Sequence, residues 1–385
     1  MKNLSTITAL PQTGMRKMFD LAATMDDVVS FALGEPNFDT PQNVIQAAKE
    51  AMDRGETHYN ANAGILPLRK AISKMFMKTE NLEYDPDSEI MVTVGGMEGL
   101  YLTLMVLLDI DDEVIVTDPC YTNYLGQIQM NKGKVVPVPV YEENGFNYTE
   151  EGLRSAITDK TKVILLNSPC NPTGGVATKE VQEMVARIAM EYDLYVIFDE
   201  VYKYLIYDGL EFFNIASTPG MRARTIIIDS VSKSYAMTGW RVGFTLGPAD
   251  IIGNMPKLQE NMLSCVNTPS QWAAIEALEG PQDACSYMNQ QYLERRNLLC
   301  EGINKIDRLS CSVPNGAFYV FMNIKETGLS SEEFALRLLK EAKVVVSAGS
   351  GFGDNGEGYV RIAYATSTEN IIEGLKRMEK FVSTL

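Results

Sequence analysis

Residues 230–243 read SVSKSYAMTGWRVG, with Lys233 set among Ser230, Ser232 and Ser234 and with Arg241 following shortly after. A lysine attacks a carbonyl carbon only as the free amine, and burial or a nearby cation favours that form. A guanidinium fork and a hydroxyl beside it suit an oxyanion. Other reactive types recur at the ends of apolar runs. Gly95-Gly96-Met97 follows one run, Tyr121 another and Asn171 in SPCNPTGG a third; Asp199 closes a fourth, with Tyr202 just beyond it in DEVY. Each has a plainer reading taken singly. The glycines make a tight turn, Asn171-Pro172-Thr173-Gly174 a β-turn, and Asp199 a helix N-cap. Tyr121 fits a core and Lys233 a solvated surface.

What argues for chemistry is the set of elements that carry them. Apolar, β-rich runs lie at 90–94, 113–118, 134–140, 162–167, 194–199, 225–229 and 241–246. Several are continuous rather than alternating, as in strands covered on both faces. Helical spacing separates them: Val44, Ile45, Ala48 and Met52 after a Thr40 cap and Pro41; Ile65, Leu68, Ile72 and Met75; Val181, Met184, Val185 and Ile188. Strands alternating with helices predict an α/β fold, with a large domain built on a mostly parallel seven-stranded sheet flanked by helices. Ligands bind such a sheet outside the carboxyl ends of its strands. The glycine turn, Tyr121, Asn171, Asp199, Tyr202, Ser230 and Lys233 all fall at that edge.

After about residue 285 the texture changes. A long helical stretch at 284–306 leads to shorter strands at 317–322 and 359–364, a capping box at Ser330 and Glu333, and a C-terminal helix with Ile371, Leu375, Met378 and Val382. The expected division is an N-terminal arm with part of a small domain at 1–40, a large cofactor-binding domain at 41–285, and a small α+β domain at 286–385. Arg361, between Val360 and Ile362 in YVRIAY, points away from both. It suits either a salt-bridged outer face or a ligand.

Composition removes several classes. Lys and Arg number 34 against 50 Asp and Glu, a net charge of −16, which disfavours nucleic acid and anionic membranes. There are six cysteines with no CxxC pair, and one histidine, His58. No metal site is expected, and His58 reads as a local hydrogen-bonder beside Tyr59. Scattered cysteines and a start, MKNLSTITALPQ, without an apolar core predict a cytoplasmic protein. LYLTLMVLL (100–108) is too short to span a bilayer. There is no GxxxxGK[ST] and no GxSxG, and GSGFGDNG (349–356) precedes no helix and reads as a flexible loop.

An amine, an anion pocket, a carboxylate and a flat ring suit a planar, phosphorylated, electron-withdrawing aldehyde. Pyridoxal 5'-phosphate is such a molecule. A lysine forms an imine with its aldehyde, and an aspartate keeps its ring nitrogen protonated. Its phosphate suits a glycine-opened helix N-terminus.

At this point the chain resembles a family. SVSKSYAMTGWRVG looks like the lysine motif of class I/II pyridoxal-phosphate aminotransferases of fold type I. FALGEPNFDTP (31–41), YNANAGILPLR (59–69), GGMEGL (95–100), DPCYTNY (118–124), SPCNPTGG (168–175) and DEVY (199–202) match in the family's order, over nearly the whole chain. The resemblance implies transfer of an amino group from an L-amino acid to a 2-oxo acid, 2-oxoglutarate being the expected acceptor. Lys233 would be the Schiff-base lysine and proton shuttle, Asp199 the partner of the pyridine nitrogen, and Tyr202 and Asn171 contacts of the ring oxygen. Tyr121 would stack on the ring. The backbone of Gly96 and Met97, with Ser230 and Arg241, would hold the phosphate, and Tyr59 would reach the phosphate of a partner subunit, implying a homodimer with shared sites. Arg361 would clamp the substrate carboxylate, helped by the Gly34 backbone and Asn171.

The aspartate-specialised branch has a tryptophan where Tyr121 stands, and an arginine shortly before Asn267-Thr268-Pro269 that this chain lacks. TGMRKMFDLAATMDDVVSFALGEP (13–36) resembles the branch with aspartate, aromatic and broad-range members. Three other readings compete: a C–S β-lyase on the same fold, a nucleotide-binding oxidoreductase, and a non-catalytic ligand sensor.

Overall fold

The computed structural model describes Thr8, Leu21, Ala22 and residues 24–385. The N-terminal arm ahead of Leu21, Thr8 apart, lies outside the described residues. In chain order the strands are β1 (Val29–Ser30), β2 (Ile90–Thr93), β3 (Glu113–Asp118), β4 (Lys134–Pro139), β5 (Thr161–Asn167), β6 (Tyr195–Asp199), β7 (Thr225–Ser230), β8 (Gly243–Leu246), β9 (Tyr319–Asn323), β10 (Val344–Val345), β11 (Ser347–Ala348) and β12 (Tyr359–Ala363).

Each apolar run between residues 90 and 246 becomes a strand of one seven-stranded sheet, in the order β2-β8-β7-β6-β5-β3-β4. The pairs β3–β4, β3–β5, β5–β6 and β6–β7 are parallel, whereas β8 runs antiparallel to both β2 and β7. The runs are unbroken because both faces are covered. Val114, Ile164, Val196, Ile197 and Ile227 are fully buried. Amphipathic helices do the covering: Lys179–Glu191 turns Met184, Val185 and Ile188 inward, and Thr178 caps it by accepting the Val181 N–H. Thr40 does not cap its helix. Pro41 precedes Gln42–Asp53 without a side-chain cap bond, and the Thr40 hydroxyl donates instead to Ala236 O at 2.6 Å.

The remaining strands form a three-stranded antiparallel sheet, β11-β12-β9, and a parallel pair, β1-β10. Helices Asp283–Ile303, Ser331–Ala342 and Thr368–Val382 accompany them. Ser330 caps the second of these, its Oγ accepting the Glu333 N–H at 3.2 Å. A core including Phe31, Tyr292, Phe318, Phe334 and Tyr364 fills this part and reaches Tyr202 and Leu205 beyond β6.

Segment 349–356 is not the free loop its glycines suggest. It forms two short 3₁₀ turns, and the Asp118 carboxylate at the end of β3 accepts from Asn355 Nδ2 at 2.8 Å. Phe352 O takes the Cys120 N–H at 2.9 Å. Here the polar groups that end β3 fasten the loop, an effect that loop composition alone does not reveal.

The sheet register gathers the polar residues. Gly243 opens β8 opposite both Thr93 and Ser230, so Arg241 lands beside Gly95 and the end of β7. A Cβ at Gly243 would lie 2.5 Å from Gly96 N, so only glycine lets β8 start this close.

Candidate active site

A cavity of about 340 Å³ opens at the carboxyl edge of the large sheet. Gly34, Gly96, Met97, Tyr121, Asn171, Asp199, Tyr202, Ser230, Lys233, Arg241 and Arg361 all line it. Of the residues to which the resemblance gave a site role, Tyr59 is the one that does not. It stands 88% exposed, outside the cavity of its own chain. His58 is exposed as well, and its carbonyl accepts the Thr268 hydroxyl at 2.9 Å.

Lys233 follows β7 in a tight turn, and its Nζ donates to Gly34 O at 2.6 Å. The amine is lowered to about 8. Burial is the main cause, the Arg361 charge adds to it, Glu35 opposes it, Arg241 lowers it further and Asp199 opposes. Asp199 ends β6 only 8% exposed. Its Oδ2 accepts the Tyr124 hydroxyl at 2.6 Å and its Oδ1 the Val201 N–H at 3.3 Å. Burial raises its carboxyl to about 6, against the pull of the Tyr124 and Val201 hydrogen bonds. It therefore remains mostly ionised near neutral pH.

Arg361, at 2% exposure, is no solvated strand face. It donates to Asn171 Oδ1 at 2.9 Å and to Ala32 O at 2.7 Å, and stacks on the Tyr319 ring with its guanidinium carbon 4.6 Å from the centroid. The other wall is made at the opening of the helix Gly95–Leu107. Gly95 has φ +70°, and a Cβ there would collide with the Arg241 guanidinium. Glu98 braces the turn by accepting the Val94 N–H at 2.5 Å. The free N–H groups of the first turn, the Ser230 hydroxyl and the exposed Arg241 fork thus face one small volume, a setting for a phosphate.

Several lining residues carried no role in the sequence reading. Tyr124 donates to Asp199, Tyr319 pairs with Tyr202 hydroxyl to hydroxyl at 2.8 Å, and Leu33, Glu35, Asn167 and Thr238 complete the wall. Tyr124 lies within DPCYTNY, three residues past Tyr121 at the start of the helix Thr122–Met130, and that spacing is the available signal. Tyr121 itself is pushed up to about 12 by burial, so its phenol stays neutral. Its hydroxyl accepts from Asn123 Nδ2 at 2.7 Å.

A lysine held as a near-neutral base, a buried carboxylate, a helix-borne anion cradle and a second buried arginine, all at the switch edge of a parallel sheet, define a pyridoxal-phosphate enzyme of fold type I. The residues fit that cofactor, since each of its charged or reactive atoms finds a complementary group in one cavity. The chain belongs to the aminotransferase class I and II family, whose model matches residues 26–378. It is 46% identical over 368 residues to an aspartate aminotransferase of Pyrococcus abyssi, covering 95% of this chain and 94% of that one. It is 44% identical to aromatic-amino-acid aminotransferase 2 of Thermococcus litoralis over the same shares. Among solved structures, the Thermus thermophilus aspartate aminotransferase with maleate superposes with a TM-score of 0.94 at 37% identity, covering 99% of this chain and 100% of that one. The protein is a pyridoxal-phosphate-dependent aminotransferase that moves an amino group from an amino acid to a 2-oxo acid, and the lyase alternative is not favoured. Among the described residues no helix is long and apolar enough to cross a membrane.

Proposed function

We propose that the donor is aspartate, an aromatic amino acid or a broad range including both, and that 2-oxoglutarate is the acceptor. Support for the donor class comes from relatives named for aspartate and for aromatic amino acids at comparable identity. The observation that carries the site assignment is a buried arginine, Arg361, in the same cavity as Lys233 and Asp199.

On this reading the cofactor, when bound, supplies an electron-withdrawing ring that accepts the electron pair left at the substrate Cα. Lys233 Nζ would take the substrate Cα proton, a task for an amine near neutrality. Asp199 holds the ring N–H, and Tyr124 keeps that carboxylate oriented and ionised. Tyr202 and Asn171 would donate to the ring oxygen, and Tyr121 would cover the ring face. Gly96, Met97, Ser230 and Arg241 hold the phosphate. Arg361 binds the substrate carboxylate as a fork, with Asn171 and the Gly34 backbone beside it. Tyr59 reaches the phosphate of a second subunit, so the working unit is a homodimer in the cytoplasm. The chain divides into an arm at 1–40, a cofactor-binding domain at 41–285 and a small domain at 286–385, with β1 joining the arm to the small domain through β10.

The test is an absorbance titration of the full chain with each common L-amino acid. Aspartate or aromatic donors should convert the lysine-bound cofactor band to the amino form, and Lys233→Ala should abolish turnover. Ammonia released from cystathionine without such conversion would overturn the reading.

A further inference from the structure

Behind the site, on the side of the sheet edge away from the cavity, lies a second group of charged side chains. Lys203, in the turn after β6, has a side chain 2% exposed and is ringed by Glu80, Glu200 and Asp229, each 5% exposed or less. An ammonium has three N–H donors, and here each meets a different carboxylate. Nζ lies 2.7 Å from Glu80 Oε1, 2.7 Å from Glu200 Oε1 and 2.9 Å from Asp229 Oδ2. Asn214 closes the far side by donating to Glu80 Oε2 and Glu200 Oε2, both at 2.6 Å. The Phe76 ring covers the ammonium, with its centroid 3.9 Å away.

Burying ions costs several kcal/mol each, and apolar packing would often serve stability as well. Three carboxylates against one ammonium also leave negative charge in excess. Burial, then the Glu80 charge, pushes the Glu200 carboxyl well up. Stability alone does not account for this arrangement, but its connections do. Glu200 is the residue after Asp199, and its N–H donates to Ile228 O on β7 at 3.0 Å. Asp229 is the residue before Ser230, and its Oδ1 accepts the Ser230 N–H at 2.6 Å. Glu80 ends the helix Leu66–Glu80. One ammonium therefore ties the ends of the two strands that carry the cavity floor to each other and to a helix behind them.

We propose that Lys203 is a positioning residue for amino-group transfer: its three bonds hold the ends of β6 and β7 at the spacing that sets Asp199 against Ser230 and Lys233. This rests on the site assignment given above. Without the ammonium the facing carboxylates repel, and the β7 end carrying Ser230 and Lys233 moves relative to Asp199. Arg361 on β12 and Asn171 after β5 are not part of the tie, so carboxylate recognition stays in place.

The experiment uses the full chain bearing Lys203→Met, which keeps length and removes charge. The readouts are the dissociation constant of pyridoxal phosphate from the apoprotein, followed by absorbance, together with kcat and KM measured separately. The expected result is cofactor affinity and kcat each reduced about tenfold or more, as a displacement of about 1 Å can cost on the order of 10²-fold, with donor KM within about threefold. Cofactor affinity and kcat within about twofold of the unmodified chain would overturn the proposal. So would a uniform loss in which KM rises along with the fall in kcat, the mark of general loosening. Should Lys203→Met not fold, Asp229→Asn, which removes the charge from the β7 arm of the tie and keeps an amide oxygen for the Ser230 N–H, decides by the same readouts and thresholds. The unmodified chain separates the two readings. If it fails to form a lysine-bound cofactor band, the site assignment falls; if it forms one and the variants match it, Lys203 alone is misassigned.

Discussion

The amine of Lys233 offers the sharpest quantitative test. Its pKa of about 8, set chiefly by burial and then by the Arg361 charge, makes roughly a quarter of it free base at pH 7.5, against roughly a thousandth for an ordinary lysine near 10.5, an advantage on the order of 10²-fold. Brief acylation of the apoprotein from about pH 6 to about pH 11, with the Lys233 peptide quantified by mass spectrometry, should give a labelling midpoint near pH 8. Arg361→Met removes the second-largest cause and should move that midpoint upward. The linkage sign supplies an independent readout. Between about pH 8 and about 10.5 the unfolded chain binds the proton that folded Lys233 has released. The contribution of this group to stability therefore rises with pH across that window, and its full cost is present below about 8. A labelling midpoint near 10.5, or an Arg361→Met midpoint that does not rise, would refute the account.

Three further outcomes follow from the site. Tyr124→Phe removes a donor that lowers the Asp199 carboxyl, so that carboxyl rises above about 6 and the acid limb of the pH–rate profile shifts upward, with kcat at alkaline pH largely kept. An unmoved acid limb would count against Tyr124 as the partner of Asp199. Arg361→Lys replaces a fork by a point charge and should lower kcat/KM by about 10- to 150-fold, the equivalent of about 1.5–3 kcal/mol for a charge-assisted bond, as steady-state kinetics will show. Gly95→Ala forces a side chain onto φ +70° and into the Arg241 guanidinium. The backbone term alone is about 1–2 kcal/mol, and cofactor affinity measured by absorbance titration should fall while the substrate side is spared.

The strands were legible in the sequence because burial on both faces writes itself as an unbroken apolar run. The site was legible to the extent that its residues stand at the ends of those runs. Asp199 and Ser230 end β6 and β7, Lys233 stands in the turn after β7, and the parallel topology brings them together without further information. What stayed hidden depends on pairing across the chain. Tyr124 and Asp199 are 75 residues apart, and Tyr319 and Tyr202 are 117 apart. In sequence, Tyr124 and Tyr319 look like ordinary core aromatics, because a buried phenol spends its ring on packing and only its hydroxyl on the site. Arg361 left two readings open for the same reason. Strand alternation shows that it points away from Val360 and Ile362, while only the packing of β12 against Ala32 and Asn171 shows that it points into the protein.

The two cavity arginines also act on the lysine between them. Both lower its amine, and Glu35 and Asp199 raise it. On the proposed assignment each arginine meets an anion, the phosphate at Arg241 and the substrate carboxylate at Arg361. A guanidinium paired with an anion no longer presents a net positive charge to its neighbour, so its effect on the amine largely disappears. On that assignment Lys233 is less basic while Arg361 is unpaired, when a free amine is needed for attack, than after the substrate carboxylate is seated, when it must take a proton from carbon. The arginine that recognises the substrate carboxylate would, on that assignment, also tune the lysine between its tasks as nucleophile and as base.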